Sequence, residues 1–261
     1  MTASPMVSIV IPVRDDRNGI TRTLEAIERL PSAVLSLLEC VVVDGGSTDG
    51  TLEAMANFPS LVDHVLSGAD AGVYDALNRG IGRAHGQWIW VLGAGDCPLA
   101  EGLVAWFEPL EGSERDVAWA ASVRTDDARE AGVPERFIPR WDGSMWWRNA
   151  IHHQGLLAPR HWLTEHPFDP SFRVLGDYAW LLDMKRQGKQ VKCMPSCAVA
   201  KVGSGGLSRR FHAALYMEEW RAKRSRLPLL PLLIHPLWLP AKWAFKQCSS
   251  VFRSLGASTS Q

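Results

Sequence analysis

The sequence predicts an α/β fold in which helices flank a mostly parallel central sheet. Three observations predict it: short apolar runs, helical segments that alternate with them, and polar residues collected where the runs end. Continuous apolar runs rich in β-branched residues are typical of strands buried on both faces, and alternation with helices predicts parallel pairing. The chain has 261 residues, 46% of them hydrophobic. This is enough for a substantial core in one large domain or two small ones.

Four apolar runs are predicted strands, at residues 7–13, 40–44, 64–67 and 88–92. The second signal is helical periodicity, which predicts helices at about 20–30, 51–58, 73–86, 176–189 and 208–226. Residues 112–150 are polar and irregular, so we predict loops there, with an edge strand at about 117–123. Two short strands are predicted within 191–202.

Charge and cysteine content exclude several classes of protein. The formal net charge is zero, so composition does not indicate a nucleic-acid partner. The five cysteines are odd in number in a chain that is not small, which argues against a disulfide framework. Cys193 and Cys197 lack a second pair to complete a zinc site, so we predict that both are reduced. The N-terminus has no basic segment before its apolar run, so a cytoplasmic location is expected.

Polar side chains follow three of the predicted strands. Arg14 comes after the first, Asp44 ends the second, and Asp96 follows the fourth within the segment "GAGDC". Because ligands of open α/β sheets bind beyond the carboxyl ends of the strands, we predict a binding site there. Small residues let a backbone approach a ligand closely, and an acid beside them could hold a metal. A plain turn containing an aspartate is the alternative.

Several of these residues have two interpretations. Asp44 could bind a base or ribose, or cap the turn that follows it, and neither a G-x-G-x-x-G fingerprint nor a P-loop is present. Asp177 could be catalytic or could cap a helix. The segment "HHQG" could supply metal ligands, but adjacent residues rarely share one metal face, so hydrogen bonding to a polar ligand is favoured.

Seven segments in order resemble the family 2 glycosyltransferases, nucleotide-sugar-dependent enzymes with the GT-A fold. They are "VSIVIPV", "VVVDGGSTDGTLE", "ADAGVYDALNRGI", "WIWVLGAGD", "HHQG", "FDPSFRVLGDYAW" and "GSGGLS", between residues 7 and 208. The chain is most similar to the branch found in bacterial exopolysaccharide clusters, the colanic-acid type. Each motif is weak by itself, and the resemblance depends on their number and order.

The resemblance implies a donor-binding set made of Pro12, Val13, Arg14, Asp44, Asp70, Tyr74, Asn78 and Asp96. Many members have tyrosine where this chain has Arg14, and a guanidinium plane could stack on a base in a similar way. The triplet Ala94-Gly95-Asp96 stands where the family has its metal motif. Asp96 is then the one carboxylate that this motif offers to a magnesium or manganese ion bound with the nucleotide diphosphate.

The resemblance also implies the remaining roles. Asp177 matches the general base of inverting members, with His153 as the second candidate. Contacts to the acceptor or the donor sugar are expected from His152, His153 and Gln154. A flexible loop that closes over the diphosphate is expected at Gly205, Gly206 and Ser208.

The predicted domain organisation is a GT-A domain at 1–225 and an apolar, basic tail at 226–261. Residues 1–110 would bind the nucleotide sugar, and 111–225 would bind the acceptor and carry catalysis. Prolines at 228, 231, 236 and 240 exclude a regular spanning helix in the tail. Basic residues interleaved with aromatic ones indicate an anchor on the inner membrane surface; packing on the domain or dimerisation is the alternative.

The function predicted from the resemblance is transfer of a sugar from a nucleotide diphosphate to a glycan acceptor, one carried on a polyprenyl lipid. The alternative is a catalytically inactive protein of the same fold that binds nucleotide or sugar within a polysaccharide-synthesis complex. The reduced metal motif favours this alternative, whereas the presence of both Asp96 and Asp177 favours the enzyme. A nucleotidyltransferase fits less well, because no glycine-rich, lysine-containing loop lies near the first strand.

Overall fold

A computed structural model describes residues 4–110, 112, 115–125, 134–203 and 213–234, which form one nine-stranded sheet flanked by helices. The strands are β1 (Val7–Val13), β2 (Leu38–Asp44), β3 (His64–Ser67), β4 (Trp88–Val91), β5 (Cys97–Pro98), β6 (Val117–Thr125), β7 (Arg136–Phe137), β8 (Leu156–Pro159) and β9 (Gln190–Val202). The helices are α1 (Arg17–Glu28), α2 (Ser32–Leu35), α3 (Thr51–Met55), α4 (Val73–Arg83), α5 (Ala100–Phe107), α6 (Arg160–Glu165), α7 (Gly176–Arg186) and α8 (Ala213–Arg224). Short 3₁₀ turns cover Glu108–Leu110, Gly143–Trp146 and His153–Gly155.

The strand order is β3-β2-β1-β4-β8-β6-β9-β5, and β7 pairs with β6. The first four strands are parallel, as predicted, whereas β8 is antiparallel to both of its neighbours, β4 and β6. The ladder between β6 and β9 is parallel, and that between β5 and β9 is antiparallel. The α/β class is therefore confirmed, and the sheet as a whole is mixed.

The parallel half has a hydrophobic layer on each face. Ile9 and Ile11 of β1 belong to the layer beneath α1 and α5, whereas Val10 belongs to the layer beneath α4 and α7. This alternation follows from the two-residue repeat of a strand, and explains why β1 reads as a continuous apolar run. Val13 pairs in register with Asp44, so the carboxyl ends of β1 and β2 lie side by side.

The prediction of an edge strand at 117–123 is wrong. The structure has β6 there, between β8 and β9, with every residue from 117 to 123 buried. Its run of small and apolar residues, "VAWAASV", suits a strand covered on both faces, and the polar segments around it obscured this pattern. The two short strands predicted after residue 190 are one irregular strand, β9, and α5, β8 and α6 were not predicted.

The irregularity of β9 has a local cause. The register between β6 and β9 shifts on both sides of Ser122, opposite the segment that contains Pro195. Proline has no N–H to donate to the ladder, so a bulge is expected there. The carbonyl of Pro195 instead accepts hydrogen bonds from the Ser122 hydroxyl at 2.8 Å and from the Arg136 guanidinium at 2.6 Å.

The C-terminal described segment packs on α7 through α8. The Lys223 ammonium is fully buried and donates to the Glu219 carboxylate and to the Trp147 carbonyl, each at 2.7 Å. After α8, Leu229, Leu230 and Leu233 are exposed. The rest of the predicted anchor, 235–261, lies outside the described residues. No helix among the residues described is both long enough and apolar enough to cross a membrane.

Candidate active site

The turn after β4 holds Asp96 against the sheet. Asp96 is buried, and its Oδ2 accepts the Gly93 N–H at 2.7 Å. Gly95 has a φ of +94°, a conformation that glycine adopts without steric cost. The Thr23 hydroxyl of α1 donates to the Asp96 carbonyl at 2.8 Å and accepts the Gly95 N–H at 2.9 Å. Sequence analysis missed Thr23, since a single threonine within a helix gives no signal of a distant contact.

Two further donors fix the orientation of the Asp96 carboxylate. The Gln154 amide nitrogen donates to Oδ2 at 2.8 Å, and the Gly203 N–H, just beyond β9, donates to Oδ1 at 3.1 Å. Gln154 is 5% exposed, and its backbone carbonyl accepts the Trp90 indole N–H at 2.9 Å. Its own side-chain oxygen, Oε1, is buried and has no hydrogen-bond partner among the described residues. The Gln154 amide therefore contacts Asp96 through its nitrogen and keeps an oxygen that can still accept.

A second carboxylate, Asp177, lies in the first turn of α7. Its Oδ1 accepts the Tyr178 N–H at 2.8 Å and the Tyr74 hydroxyl at 3.3 Å, and its Oδ2 lies 3.2 Å from the His153 Nδ1. Leu175 occupies the N-cap position, so Asp177 does not cap α7 as one interpretation held. A carboxylate in the first turn is stabilised by the helix dipole.

The pair of Asp177 and His153 favours the charged form of each side chain. Burial opposes the charge on Asp177, but the hydrogen bond and the charge of His153 outweigh it and hold the pKa of Asp177 below its usual value. Burial alone would lower the pKa of His153, but the hydrogen bond that its Nδ1–H donates to Asp177 and the negative charges of Asp177 and Asp96 outweigh burial and raise this pKa above its usual value. The pair therefore favours a protonated imidazole that donates to an ionised carboxylate.

The chain segment before Asp177 is held by α8. The Glu218 carboxylate accepts three consecutive backbone N–H groups, those of residues 173–175, at 2.5, 2.9 and 3.1 Å. Gly176 follows, and a Cβ built there would lie 2.7 Å from the Tyr74 ring. Glycine thus permits the close approach that brings the Tyr74 hydroxyl to Asp177. Sequence analysis did not identify Glu218, because nothing in a surface glutamate of a helix indicates a backbone partner 43 to 45 residues away.

Asp44 caps the turn at the end of β2, the second of its two predicted roles. Its carboxylate is buried and accepts the N–H groups of Gly46 and Ser47, both at 3.1 Å, and the Ser67 hydroxyl at 2.8 Å. Burial opposes its ionisation, but these hydrogen bonds outweigh that effect and keep its pKa below the usual value. Contact with a nucleotide base stays a prediction.

Arg14 and Asp70 converge on Gly45. A Cβ built on Gly45 would lie 2.6 Å from the Asp70 Oδ2 and 3.3 Å from the Arg14 Cβ. The Arg14 side chain is 65% exposed and its Nε lies 3.8 Å from the Asp15 carboxylate, so the guanidinium stays accessible to a ligand. Pro12 and Val13 end β1 beside them, Pro12 half-buried and Val13 buried.

The remaining predicted residues that the structure describes have partners within the protein. The Asn78 amide exchanges two hydrogen bonds with the Phe168 backbone, at 2.7 and 3.0 Å, so it braces a loop. Tyr74, predicted to bind the donor, donates to the Val174 carbonyl at 2.7 Å as well as to Asp177. The His152 ring meets the Phe137 ring edge-on, with centroids 5.5 Å apart, and lies next to His153. Gly205, Gly206 and Ser208 lie outside the described residues.

This sheet, with acidic side chains at the carboxyl ends of its parallel strands, defines the class of protein. It superposes on solved structures of the GT-A fold. The mannosyltransferase PcManGT from Pyrobaculum calidifontis, in complex with GDP-Man and Mn²⁺, matches with a TM-score of 0.65 at 21% identity, covering 100% of this chain and 77% of that one. S. aureus TarS 1-349 with UDP-GlcNAc matches with a TM-score of 0.65 at 16% identity, covering 83% of this chain and 65% of that one.

Sequence comparison identifies the family. The model of Glycosyl transferase family 2 matches residues 8–169. A PGL/p-HBAD biosynthesis glycosyltransferase of Mycobacterium bovis is 32% identical over 186 residues, which cover 67% of this chain and 68% of that protein. The chain belongs to glycosyltransferase family 2, and these sequence matches support glycosyltransferase activity. The exopolysaccharide branch stays a prediction.

Proposed function

We propose that the protein transfers a sugar from a nucleotide-diphosphate donor to an acceptor hydroxyl with inversion at the anomeric carbon. One observation carries this proposal: the adjacent residues His153 and Gln154 connect Asp177 to Asp96, through contacts of 3.2 and 2.8 Å. A group that can take a proton and a group suited to the diphosphate end of the donor thus lie in one place. An inverting displacement needs both.

The donor side of this site fits a divalent cation. Asp96 Oδ1 accepts a single hydrogen bond among the described residues, so it keeps a lone pair. The Gln154 amide contacts Asp96 Oδ2 through its nitrogen, and its oxygen lacks a partner among the same residues. A carboxylate and an amide oxygen are ligands that magnesium and manganese accept, with the remaining ligands coming from phosphate and water. Such an ion, when bound, would stabilise the charge on the departing diphosphate.

The acceptor side is the Asp177 carboxylate. Its Oδ1 is occupied by the Tyr178 N–H and the Tyr74 hydroxyl, which leaves Oδ2 to receive the proton of the attacking hydroxyl. His153 is 38% exposed and lies against this oxygen, so its ring would lie beside the bound acceptor. As the acceptor oxygen forms its bond to the anomeric carbon, the bond to the diphosphate breaks and the proton passes to Asp177.

We further propose that the acceptor is a glycan carried on a lipid, in synthesis of an exopolysaccharide or a related surface polysaccharide. The supporting observation is that Leu229, Leu230 and Leu233 are exposed where the apolar, basic tail begins. An interfacial segment of this composition favours an anionic membrane surface. Co-sedimentation of the full chain with anionic vesicles tests the membrane contact of the tail. Equal sedimentation by a chain truncated at residue 226 would refute that contact.

The first experiment is calorimetric titration of UDP and of GDP into the wild type and into Asp96→Ala, with manganese and with EDTA. Asp142→Ala is the matched control, since it removes an exposed carboxylate that caps a 3₁₀ turn. We expect metal-dependent binding of one nucleotide, lost in Asp96→Ala and kept in Asp142→Ala. Binding that is unchanged by EDTA and by Asp96→Ala would reject the cation site, and binding without any transfer would favour the inactive alternative.

A further inference from the structure

A second cluster of ligating side chains lies at the opposite edge of the sheet. Glu39 is near the start of β2, His64 begins β3, and His85 follows α4 just before β4. Because these strands are parallel, all three residues lie at the amino edge. Glu39 and Asp44 are five residue steps apart along β2, about 16.5 Å at 3.3 Å per residue. This amino-edge triad (Glu39, His64 and His85) is therefore separate from the donor site.

The triad is built around one buried carboxylate. Glu39 Oε2 accepts the Ser8 hydroxyl and the His85 N–H, the latter at 2.8 Å. Its Oε1 is thereby directed at two imidazoles and lies 2.6 Å from the His85 Nδ1 and 3.4 Å from the His64 Nε2. The Ser8 hydroxyl also accepts the Gly86 N–H at 2.8 Å. Such outer contacts are what orients a metal ligand.

We propose that the amino-edge triad is a zinc site, with Glu39 Oε1, His64 Nε2 and His85 Nδ1 as its ligands. These three atoms lie within 4.8 Å of one another. Ligands about 2.0–2.1 Å from a tetrahedral zinc ion lie roughly 3.3 Å apart, so His64 is already at the required separation from Glu39. The shorter contact to His85 has the length of a hydrogen bond, and it would lengthen by under 1 Å once zinc replaces the shared proton.

The ligand set and the exposure decide the kind of metal. Two imidazoles and a carboxylate favour zinc over magnesium or calcium, which prefer oxygen ligands. Glu39 is 7% exposed and His64 23%, whereas His85 is 57% exposed, so the triad opens to solvent on one side and leaves a coordination position for water. Bound zinc would join β2, the start of β3 and the segment after α4, and would stabilise this edge.

The test is direct titration of the untagged, metal-stripped full chain with Zn²⁺, and with Co²⁺ as a spectroscopic probe. The variants are His85→Ala and His64→Ala. His85 is exposed, so its removal should not prevent folding. The matched control is His161→Ala, which removes another exposed histidine that pairs with a carboxylate, Asp116. Asp96→Ala controls for zinc bound at the donor site.

We expect one equivalent of Zn²⁺ to bind the wild type, His161→Ala and Asp96→Ala, and to raise their melting temperatures. Binding should be lost in His85→Ala and His64→Ala, together with the visible absorption of the Co²⁺ complex. The proposal is overturned if zinc binding is absent from the wild type, or if both triad variants bind as the wild type does. In either case the triad would be a hydrogen-bonded cluster only.

Discussion

Replacing Asp177 by asparagine tests the proposed chemistry most directly. The Tyr178 N–H and the Tyr74 hydroxyl both donate to Oδ1, so the asparagine oxygen should keep that position and its amide should face His153. The shape of the site is then preserved, and the proton acceptor is removed. General-base catalysis contributes about 10²- to 10⁴-fold, or about 2.7 to 5.4 kcal/mol at 1.36 kcal/mol per tenfold change. We expect a loss of transfer in this range.

The assay measures initial rates of transfer at saturating donor, with donor binding followed separately by calorimetry. Donor affinity should be unchanged, because Asp96 and not Asp177 stands at the proposed diphosphate position. His153→Gln is the comparison variant, and it should lose less activity than Asp177→Asn. Near-normal transfer by Asp177→Asn would refute the assignment, and a larger loss in His153→Gln would move the base to His153.

The pH dependence of transfer separates the same two candidates. A general base works only when it is unprotonated. The lowered pKa of Asp177 keeps this carboxylate ionised, so a rate controlled by Asp177 should stay level down to about pH 5. A rate controlled by His153 should instead fall on acidification from a pH above the usual imidazole pKa, because the raised pKa of His153 keeps this side chain protonated there. A fall of that kind in the wild type contradicts Asp177 as the base.

Three further predictions concern packing and positioning. Gly80→Ala should destabilise the protein by about 1–3 kcal/mol in urea unfolding, because its Cβ would lie 2.5 and 2.8 Å from side chains of β1 and β2. The control Gly82→Ala has nothing within 4 Å of its Cβ and should stabilise the protein by up to about 1 kcal/mol. Equal effects of the two substitutions would contradict this packing. Glu218→Ala should lower kcat by roughly ten- to hundredfold with little change in the donor KM, because Glu218 positions α7. Glu218→Gln should recover part of this activity. A change in KM alone would contradict the positioning role of Glu218. Burial raises the pKa of the Cys40 thiol to about 12, so thiol reagents should leave Cys40 unmodified until the chain unfolds. Peptide mapping measures this modification, and rapid labelling of Cys40 in the folded protein would contradict the prediction.

Several local predictions are confirmed for a common physical reason. β1, β2 and β4 are predictable because each is a continuous apolar run between polar segments, which is the pattern of a strand covered on both faces. Prediction failed at β6, where residues 112–150 were interpreted as loops with an edge strand. The place of a strand within a sheet depends on which distant strands pair with it, and hydropathy does not record that.

The sequence by itself determined the strand-and-helix alternation and the placement of Asp44 and Asp96 at the carboxyl edge, because these follow from local periodicity and parallel pairing. Only the tertiary structure decided the partners of each polar side chain. Gln154 reaches Asp96 across 58 residues, and Tyr74 reaches Asp177 across 103. A hydrogen bond depends on distances of about 3 Å between atoms that the fold brings together, and no local pattern encodes such a pair.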